Sequence, residues 1–105
     1  MFMDKSFLIS GISHYKDNCH GILYETELTM EFEPNNKFDK SAIAIKYNNK
    51  TIGYVPNNKI KQMCIENINQ ILRIINIKMI KGNYGIRVIP KCFYDDFLES
   101  DIFFF

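Results

Sequence analysis

The chain has 105 residues, of which 47% are hydrophobic and 24% are charged, and its formal net charge at pH 7 is +1. This length and composition predict one ordered domain over residues 1–105 and exclude intrinsic disorder and a multidomain organisation. No apolar run approaches the ~20 residues that span a bilayer, and the first 13 residues lack a signal-peptide pattern, so we expect a soluble intracellular protein without membrane contact.

The first predicted elements are two strands. We predict an opening strand over residues 7–13. Residues 25–33 alternate strictly between apolar and polar side chains, which is the period-two pattern of a half-buried strand. In this second strand Leu28, Met30 and Phe32 are predicted to share the buried face.

Four more strands follow along the chain. Residues 41–47 alternate so that Ile43, Ile45 and Tyr47 share one face, and a turn at residues 48–50 leads into a strand at 51–55. Two β-branched-rich strands are predicted at residues 72–80 and 84–89, joined by a turn at residues 81–83. The prediction is therefore six short antiparallel strands.

One helix is predicted between the fourth and fifth strands. The residues that recur at helical spacing are Ile60, Met63, Cys64 and Ile68. An N-cap is expected before them, at Asn57 or Asn58. Six strands with one inserted helix predict a small, mainly β, closed or nearly closed barrel, because closure removes exposed sheet edges. The alternative is an α+β sheet with one open face.

The cysteines and histidines do not predict a metal site. Cys19, Cys64 and Cys92 are odd in number and widely spaced, which favours reduced thiols inside the cell, in the cytoplasm or in the nucleus of a eukaryotic host. Cys19 and His20 with His14 upstream could supply three metal ligands, but no second ligand pair completes a tetrahedral set. We expect no metal and no cofactor.

The charges are segregated along the chain. Residues 1–33 carry a net charge of −4, residues 34–91 carry +9 and residues 92–105 carry −4. A cationic block of this kind can hold a polyanion on one face, because phosphates respond to the field within a Debye length of about 8–10 Å. The alternative is that these charges are solvated strand faces.

The segment EPNNKFDKSAIAI, residues 33–45, combines turn chemistry with an exposed aromatic. Pro34 and Asn36 favour a tight turn, and the Asp39 carboxylate can accept backbone N–H bonds. Turn chemistry does not explain Phe38, which stands beside Asp39 and near lysines. The aromatic ring could stack on a base, the carboxylate could accept a hydrogen bond from a hydroxyl, and the lysines could neutralise a phosphate. The alternative is that Phe38 plugs the end of the barrel.

Three motifs in order carry a family resemblance. LISGISHY at residues 8–15, EPNNKFDKSAIAI at 33–45 and KTIGYVPNNKIKQM at 50–63 resemble the HIRAN domain family over about residues 7–90. This resemblance implies an OB-like six-stranded barrel, found in chromatin-remodelling-type helicases and as a stand-alone unit, that binds single-stranded DNA and captures free 3′ ends. A helicase or another DNA-processing protein is then a candidate partner.

The resemblance also implies roles for individual residues. It places Asp39 where the family's Asp accepts the 3′-hydroxyl, and Phe38 and His14 where two Tyr residues stack on bases. The remaining matches are pocket-lining positions, and they are Asn36, Tyr54 and an aromatic of a late strand, Tyr84.

One departure from the family pattern concerns the phosphate anchor. Ser13 stands where the family has a phosphate-binding Arg. Lys can supply a point charge, although it lacks the bidentate fork of Arg. The lysines near the motifs are the candidates to replace that charge, and they are Lys16, Lys37, Lys40 and Lys59.

The sequence predicts a noncatalytic protein. No GxxxxGKS/T, GxSxG or HExxH motif is present. The first expectation is recognition of single-stranded DNA or free DNA 3′ ends. The alternative is a protein-protein interaction module on the same barrel that has lost DNA-end binding together with the Arg.

The C-terminal tail, residues 91–105, is acidic and aromatic. A short amphipathic helix packed on the barrel is predicted from Phe93, Tyr94, Phe97 and Leu98. The alternative is a tail that docks partner proteins or lies in the DNA groove of its own barrel.

Overall fold

The computed structural model describes residues 2–80 and 82–102, with side chains described for residues 4–79 and 82–96. Its strands and helices are β1 Phe7–Leu8, β2 Glu27–Phe32, β3 Ile43–Tyr47, β4 Lys50–Tyr54, α1 Ile60–Glu66, β5 Leu72–Ile80, β6 Asn83–Pro90 and α2 Lys91–Ile102. Two 3₁₀ helices, Phe2–Lys5 and Ile12–Asn18, flank β1.

The strands form one antiparallel sheet in the order β1-β6-β5-β2-β3-β4, curled into a half-barrel. Strand β2 contributes to both halves of the curl. Its Leu28 pairs with Leu72 of β5, whereas its Met30 pairs with Ile45 of β3. The prediction of a mainly β, six-stranded, OB-like antiparallel barrel with short helices is confirmed.

The segment after β1 brings the two ends of the sheet together. Ser10 N–H donates to the Tyr54 carbonyl at 2.8 Å, and Tyr54 N–H donates back to the Ser10 carbonyl at 2.9 Å. On the other side, Ile9 N–H donates to the Ile86 carbonyl at 3.0 Å. This short segment therefore links β4 to β6 through backbone hydrogen bonds.

The opening strand is shorter than predicted. It ends at Leu8, and residues 12–18 form a 3₁₀ helix instead of continuing the strand. The physical reason is Gly11, whose φ of 74° lies in the left-handed region and turns the chain out of the sheet. Ser13 and His14 consequently lie on a helical turn.

The core is built from strand residues on the concave side of the sheet. Leu28, Ile43 and Ile45 are fully buried, as predicted. Each such side chain contributes about 1.5–3 kcal/mol relative to exposure. The remaining fully buried apolar positions of the strands and α1 are Ala44, Ile52, Cys64, Leu72, Ile86, Val88, Ile89 and Pro90.

Two details of the burial pattern differ from the alternation. Phe32 is exposed although the pattern grouped it with Leu28 and Met30, because it ends β2 next to the loop. Ala44 is buried although it lies on the opposite face of β3 from Ile43 and Ile45, so β3 is covered on both faces over its first half.

The predicted turns and helix are present with shifted bounds. Asn48 and Asn49 both have positive φ, 51° and 63°, as a two-residue hairpin turn between β3 and β4 requires. At the start of α1, the Asn58 side chain accepts the Ile60 N–H at 2.9 Å, while Lys59, the residue directly before the helix, makes no side-chain cap bond.

Helix α2 contains the predicted tail helix and packs beside the barrel. Lys5 Nζ lies 5.3 Å from the ring centroid of Phe93, and the Arg73 guanidinium lies 5.0 Å from that of Tyr94. The side chains of Phe97 and Leu98 and the whole of residues 103–105 lie outside the described part of the chain. None of the helices described is long and apolar enough to cross a membrane.

Candidate functional site

A cavity of about 570 Å³ lies between the β2–β3 loop, the end of β4 and the segment that follows β1. We call it the loop cavity. Its lining residues come from three parts of the chain, and they are Ser10 and Tyr15, residues 35–39 with Ala42, and Tyr54, Val55 and Asn57. It therefore contains Asn36, Phe38, Asp39 and Tyr54, four of the eight site residues predicted from the sequence.

The loop is shaped by Asn36. Its side-chain carbonyl accepts the N–H groups of Phe38 and Asp39 at 2.9 and 3.0 Å, and its side-chain amide donates to Glu33 Oε1 at 2.9 Å. This is the local turn that an Asn side chain makes by imitating a backbone carbonyl. Asn36 thus holds the backbone of the two residues that follow it, and its own polar atoms are already engaged.

Phe38 projects from this loop into solvent. Phe38 is 97% exposed, although it is one of the residues that line the loop cavity. A plug over the barrel end would be buried, so the alternative interpretation of Phe38 as a plug is wrong. An aromatic ring held in water by an ordered loop leaves both of its faces available for stacking.

The Asp39 carboxylate accepts three hydrogen bonds, two from Ser41 and one from Lys61. Its Oδ1 accepts both the N–H and the hydroxyl of Ser41, at 2.9 and 2.7 Å, and its Oδ2 accepts Lys61 Nζ at 2.9 Å. The hydrogen bonds from Ser41, followed by the one from Lys61, lower the pKa of Asp39 to about 2. The carboxylate is therefore ionised at neutral pH, and it is 37% exposed toward the cavity.

Lys61 ties the loop to α1. Its side chain is only 10% exposed, and its ammonium group donates to Asp39 and to Ser41 Oγ at 2.9 Å each. A buried ammonium needs such partners, because an unpaired buried charge is strongly destabilising. The ion pair fixes the distance between the β2–β3 loop and α1.

Tyr54 forms the wall of the cavity at the end of β4. Its hydroxyl donates to Glu33 Oε1 at 2.8 Å, and its ring lies 6.2 Å from the ring of Tyr15, tilted by 57°. Burial, followed by the contact with the Glu33 carboxylate, raises the pKa of Tyr54. Glu33 Oε1 therefore holds both the wall residue Tyr54 and the loop residue Asn36.

The other four predicted site residues lie outside the loop cavity. Ser13 and His14 are exposed on the 3₁₀ helix, and the residue of that helix that lines the cavity is Tyr15. Lys40 is exposed at the end of the loop, while the neighbouring Lys37 lines the cavity. Tyr84 lies on β6 at a separate cavity of about 350 Å³.

Three residues of the site were missed by the sequence analysis. Tyr15 follows His14 in the SHY motif, and the kink of the 3₁₀ helix at this residue decides which aromatic meets Tyr54. Glu33 opens the loop motif, so its position was a usable signal. Lys61 lies three residues before the buried Cys64, and a lysine on the buried face of a helix signals a charge partner.

The described residues contain no group of three or more His, Cys, Asp or Glu side chains placed to hold a metal ion. Burial raises the pKa of the Cys64 thiol to about 12, so this thiol stays protonated at neutral pH and is a poor nucleophile. The side chains that line the loop cavity can stack on a flat ring and accept hydrogen bonds, and Lys37 can attract a negative charge.

Comparison of the chain with protein-family models, curated proteins and solved structures found no match.

Proposed function

We propose that this chain is a noncatalytic nucleic-acid-binding domain of the HIRAN type, which recognises single-stranded DNA or free DNA 3′ ends in the loop cavity. The observation that carries the proposal is the 97% exposure of Phe38 at the rim of that cavity. Exposing a whole aromatic ring has no benefit for folding, whereas a base that stacks on such a ring gains about 1–3 kcal/mol.

The wall of the cavity supports the same proposal. Tyr15 and Tyr54 give it an aromatic lining, and Lys37 brings a cation to its edge. Stacking surfaces next to a cation are the combination that proteins use to bind single strands without reading their sequence. In the proposed complex the last base lies against Phe38, and its backbone passes Lys37.

Asp39 retains capacity for one more hydrogen bond. An ionised carboxylate has about four lone-pair sites, and Ser41 and Lys61 occupy three of them on Asp39. The remaining site on Oδ2 can accept the 3′-hydroxyl of a strand whose terminal base stacks on Phe38. A 3′-phosphate at this position would be repelled by the carboxylate.

The experiment is fluorescence anisotropy with a 5′-labelled thymidine dodecamer that ends in a 3′-hydroxyl, compared with the same strand ending in a 3′-phosphate. We expect the hydroxyl strand to bind at least about tenfold more tightly, because a hydrogen bond to a charged group is worth about 1.5–3 kcal/mol. Equal affinities would refute recognition of the 3′ end. Absence of binding to both strands at 50 mM salt would favour a protein-interaction module.

A further inference from the structure

Two more cavities lie on the barrel surface, and the first of them lies next to the loop cavity. The first, of about 640 Å³, has Pro56, Asn58, Lys59, Leu8 and Arg87 among its lining residues, and we call it the junction cavity. Val55 and Asn57 line the loop cavity, while Pro56 and Asn58 line the junction cavity. Alternate residues of segment 55–58 line one cavity or the other, so this segment lies between the two cavities.

The second, of about 350 Å³, lies on β5 and β6 and is called the strand cavity. It shares Leu8 and Arg87 with the junction cavity, so these two cavities adjoin, and the junction cavity reaches the loop cavity at residues 55–58. Its floor follows from the sheet register. Arg87 pairs with Asn76, and Gly85 pairs with Lys78, so these four positions lie on one face. Because Gly85 has no side chain, a hollow is left opposite Lys78.

The charges along this path are mainly positive. Lys59, Arg87 and Lys78 line the junction and strand cavities, and the carboxylate that lines these two cavities is Asp4. One N–H of the Arg87 guanidinium donates to Ser6 Oγ at 3.1 Å. Since a guanidinium has five N–H donors, most of them remain for a phosphate. Tyr84 borders the far end of the path and adds a stacking surface.

We propose that the body of a bound single strand runs from the loop cavity through the junction cavity to the strand cavity, with its phosphates contacting Lys59, Arg87 and Lys78 in turn. This inference rests on the proposed function, because it places the 3′ end in the loop cavity. It assigns Tyr84 to the 5′ part of the strand, away from Phe38. One OB fold covers about 4–16 nucleotides of a single strand, so a dodecamer lies within the range that can occupy such a track.

The first test measures how affinity depends on strand length and salt. Thymidine strands of three and twelve nucleotides with 3′-hydroxyls are titrated at several salt concentrations, the short one by NMR shifts and the long one by anisotropy. Each neutralised phosphate of a single strand adds about 0.7 to the slope of log affinity against log salt. Three cations on the track therefore predict a slope about 2 units steeper for the dodecamer.

The variant Lys78→Gln tests the far end of the track. Lys78 is exposed, so its replacement leaves the core intact. We expect it to weaken dodecamer binding by about fivefold to tenfold at 50 mM salt, to lower the slope by about 0.7, and to leave trinucleotide binding unchanged. The matched control is Lys50→Gln. Lys50 begins β4 at the end opposite Tyr54, and it lines none of the three cavities.

Photocrosslinking fixes the direction of the strand. A dodecamer with 4-thiothymidine at its 3′ end is expected to crosslink near Phe38, and one with 4-thiothymidine near its 5′ end is expected to crosslink near Tyr84. If the wild type binds both strands with the same slope of log affinity against log salt, the track is wrong but the proposed function stands. The same holds if Lys78→Gln and Lys50→Gln weaken dodecamer binding equally. Lack of binding to either strand would overturn the proposed function and the track together.

Discussion

Asn36 and Asp39 show how turn chemistry and recognition use the same side chains. Asn36 holds the loop through three hydrogen bonds, and Asp39 holds Ser41 and Lys61. A sequence pattern that predicts a turn therefore does not compete with one that predicts a site. The turn residues fix the backbone, and this leaves Phe38 exposed in one defined position.

Phe38→Ala separates recognition from stability. We expect it to weaken binding of a single strand by about 1–3 kcal/mol, because the stacking surface is lost. The melting temperature should stay the same, since the ring is 97% exposed and contributes no buried area. Anisotropy and thermal unfolding measure the two effects.

The control for this variant is Phe32→Ala. Phe32 is also exposed but does not line the loop cavity, so strand affinity should be unchanged. A lower melting temperature for Phe38→Ala would mean that the ring packs in solution. Equal losses of affinity in the two variants would mean that any exposed aromatic of this face contributes.

Asp39→Asn tests the ion pair with Lys61. The amide cannot neutralise the largely buried ammonium, so we expect a lower melting temperature at pH 7. Since folding lowers the pKa of Asp39 from 3.8 to about 2, the stabilisation is complete above pH 4 and is lost as pH falls through 2. The difference in melting temperature between wild type and variant should therefore shrink between pH 4 and pH 2.

The double variant Asp39→Asn with Lys61→Met is the matched control. It removes both charges, and it should recover much of the stability lost in Asp39→Asn alone, because an apolar pair does not leave an unpaired charge. If the melting temperatures of Asp39→Asn and the wild type differ by the same amount at every pH, the stabilisation by Asp39 does not come from its charge.

At the scale of the elements, the closure of the barrel depends on Gly53 in β4. A Cβ at this position would collide with the Ile9 side chain and would lie 2.7 Å from the Ser10 carbonyl oxygen. The missing side chain thus allows the segment after β1 to reach β4 and exchange backbone bonds with Tyr54. The same contact places Ser10 and Tyr54 together in the wall of the loop cavity.

Gly53→Ala should destabilise the fold by about 1–3 kcal/mol, the usual cost of forcing extra volume into a packed site. Urea unfolding measures the change. Gly85→Ala on β6 is the matched control, because a Cβ there meets no atom within 4 Å. We expect Gly85→Ala to be neutral or slightly stabilising. Similar losses in both variants would contradict a specific role for the Ile9–Gly53 contact.

At the scale of the whole molecule, one core joins every strand of the half-barrel with α1. Buried residues from β1 to β6, such as Phe7, Ile45 and Val88, belong to a single cluster that also includes Cys64. Helix α2 is attached differently, through Lys5 and Arg73 on Phe93 and Tyr94 and through a 2.7 Å bond from Lys91 N–H to the Ile71 carbonyl. Its docking should therefore add stability without forming a second folding unit.

The double variant Phe93→Ala with Tyr94→Ala tests this docking. We expect a loss of about 1–2 kcal/mol, since cation–π contacts near the surface are worth about 0.5–1 kcal/mol each. Unfolding should remain one transition, with the same midpoint by far-UV and near-UV circular dichroism. Asp96→Ala, at an exposed position of the same helix, is the control. Two separate transitions would show that α2 folds apart from the barrel.

The sequence by itself determined β2, β3 and the loop between them. The alternation of residues 25–33 and 41–47 located β2 and β3, because a sheet with one buried face requires period two. The motif of Pro34, Asn36 and Asp39 predicted the turn, since its hydrogen bonds join residues two or three positions apart. Local chemistry of this kind can be read directly from the chain.

Only the tertiary structure decided which residues meet across the cavity. Lys61 reaches Asp39 from 22 positions away, and Glu33 meets Tyr54 from 21 positions away. It also turned the chain at Gly11, so that Tyr15 rather than His14 faces Tyr54, and it separated Tyr84 from Phe38. The physical reason is that these contacts depend on how the sheet curls and closes, and no periodicity within a single strand encodes that curvature.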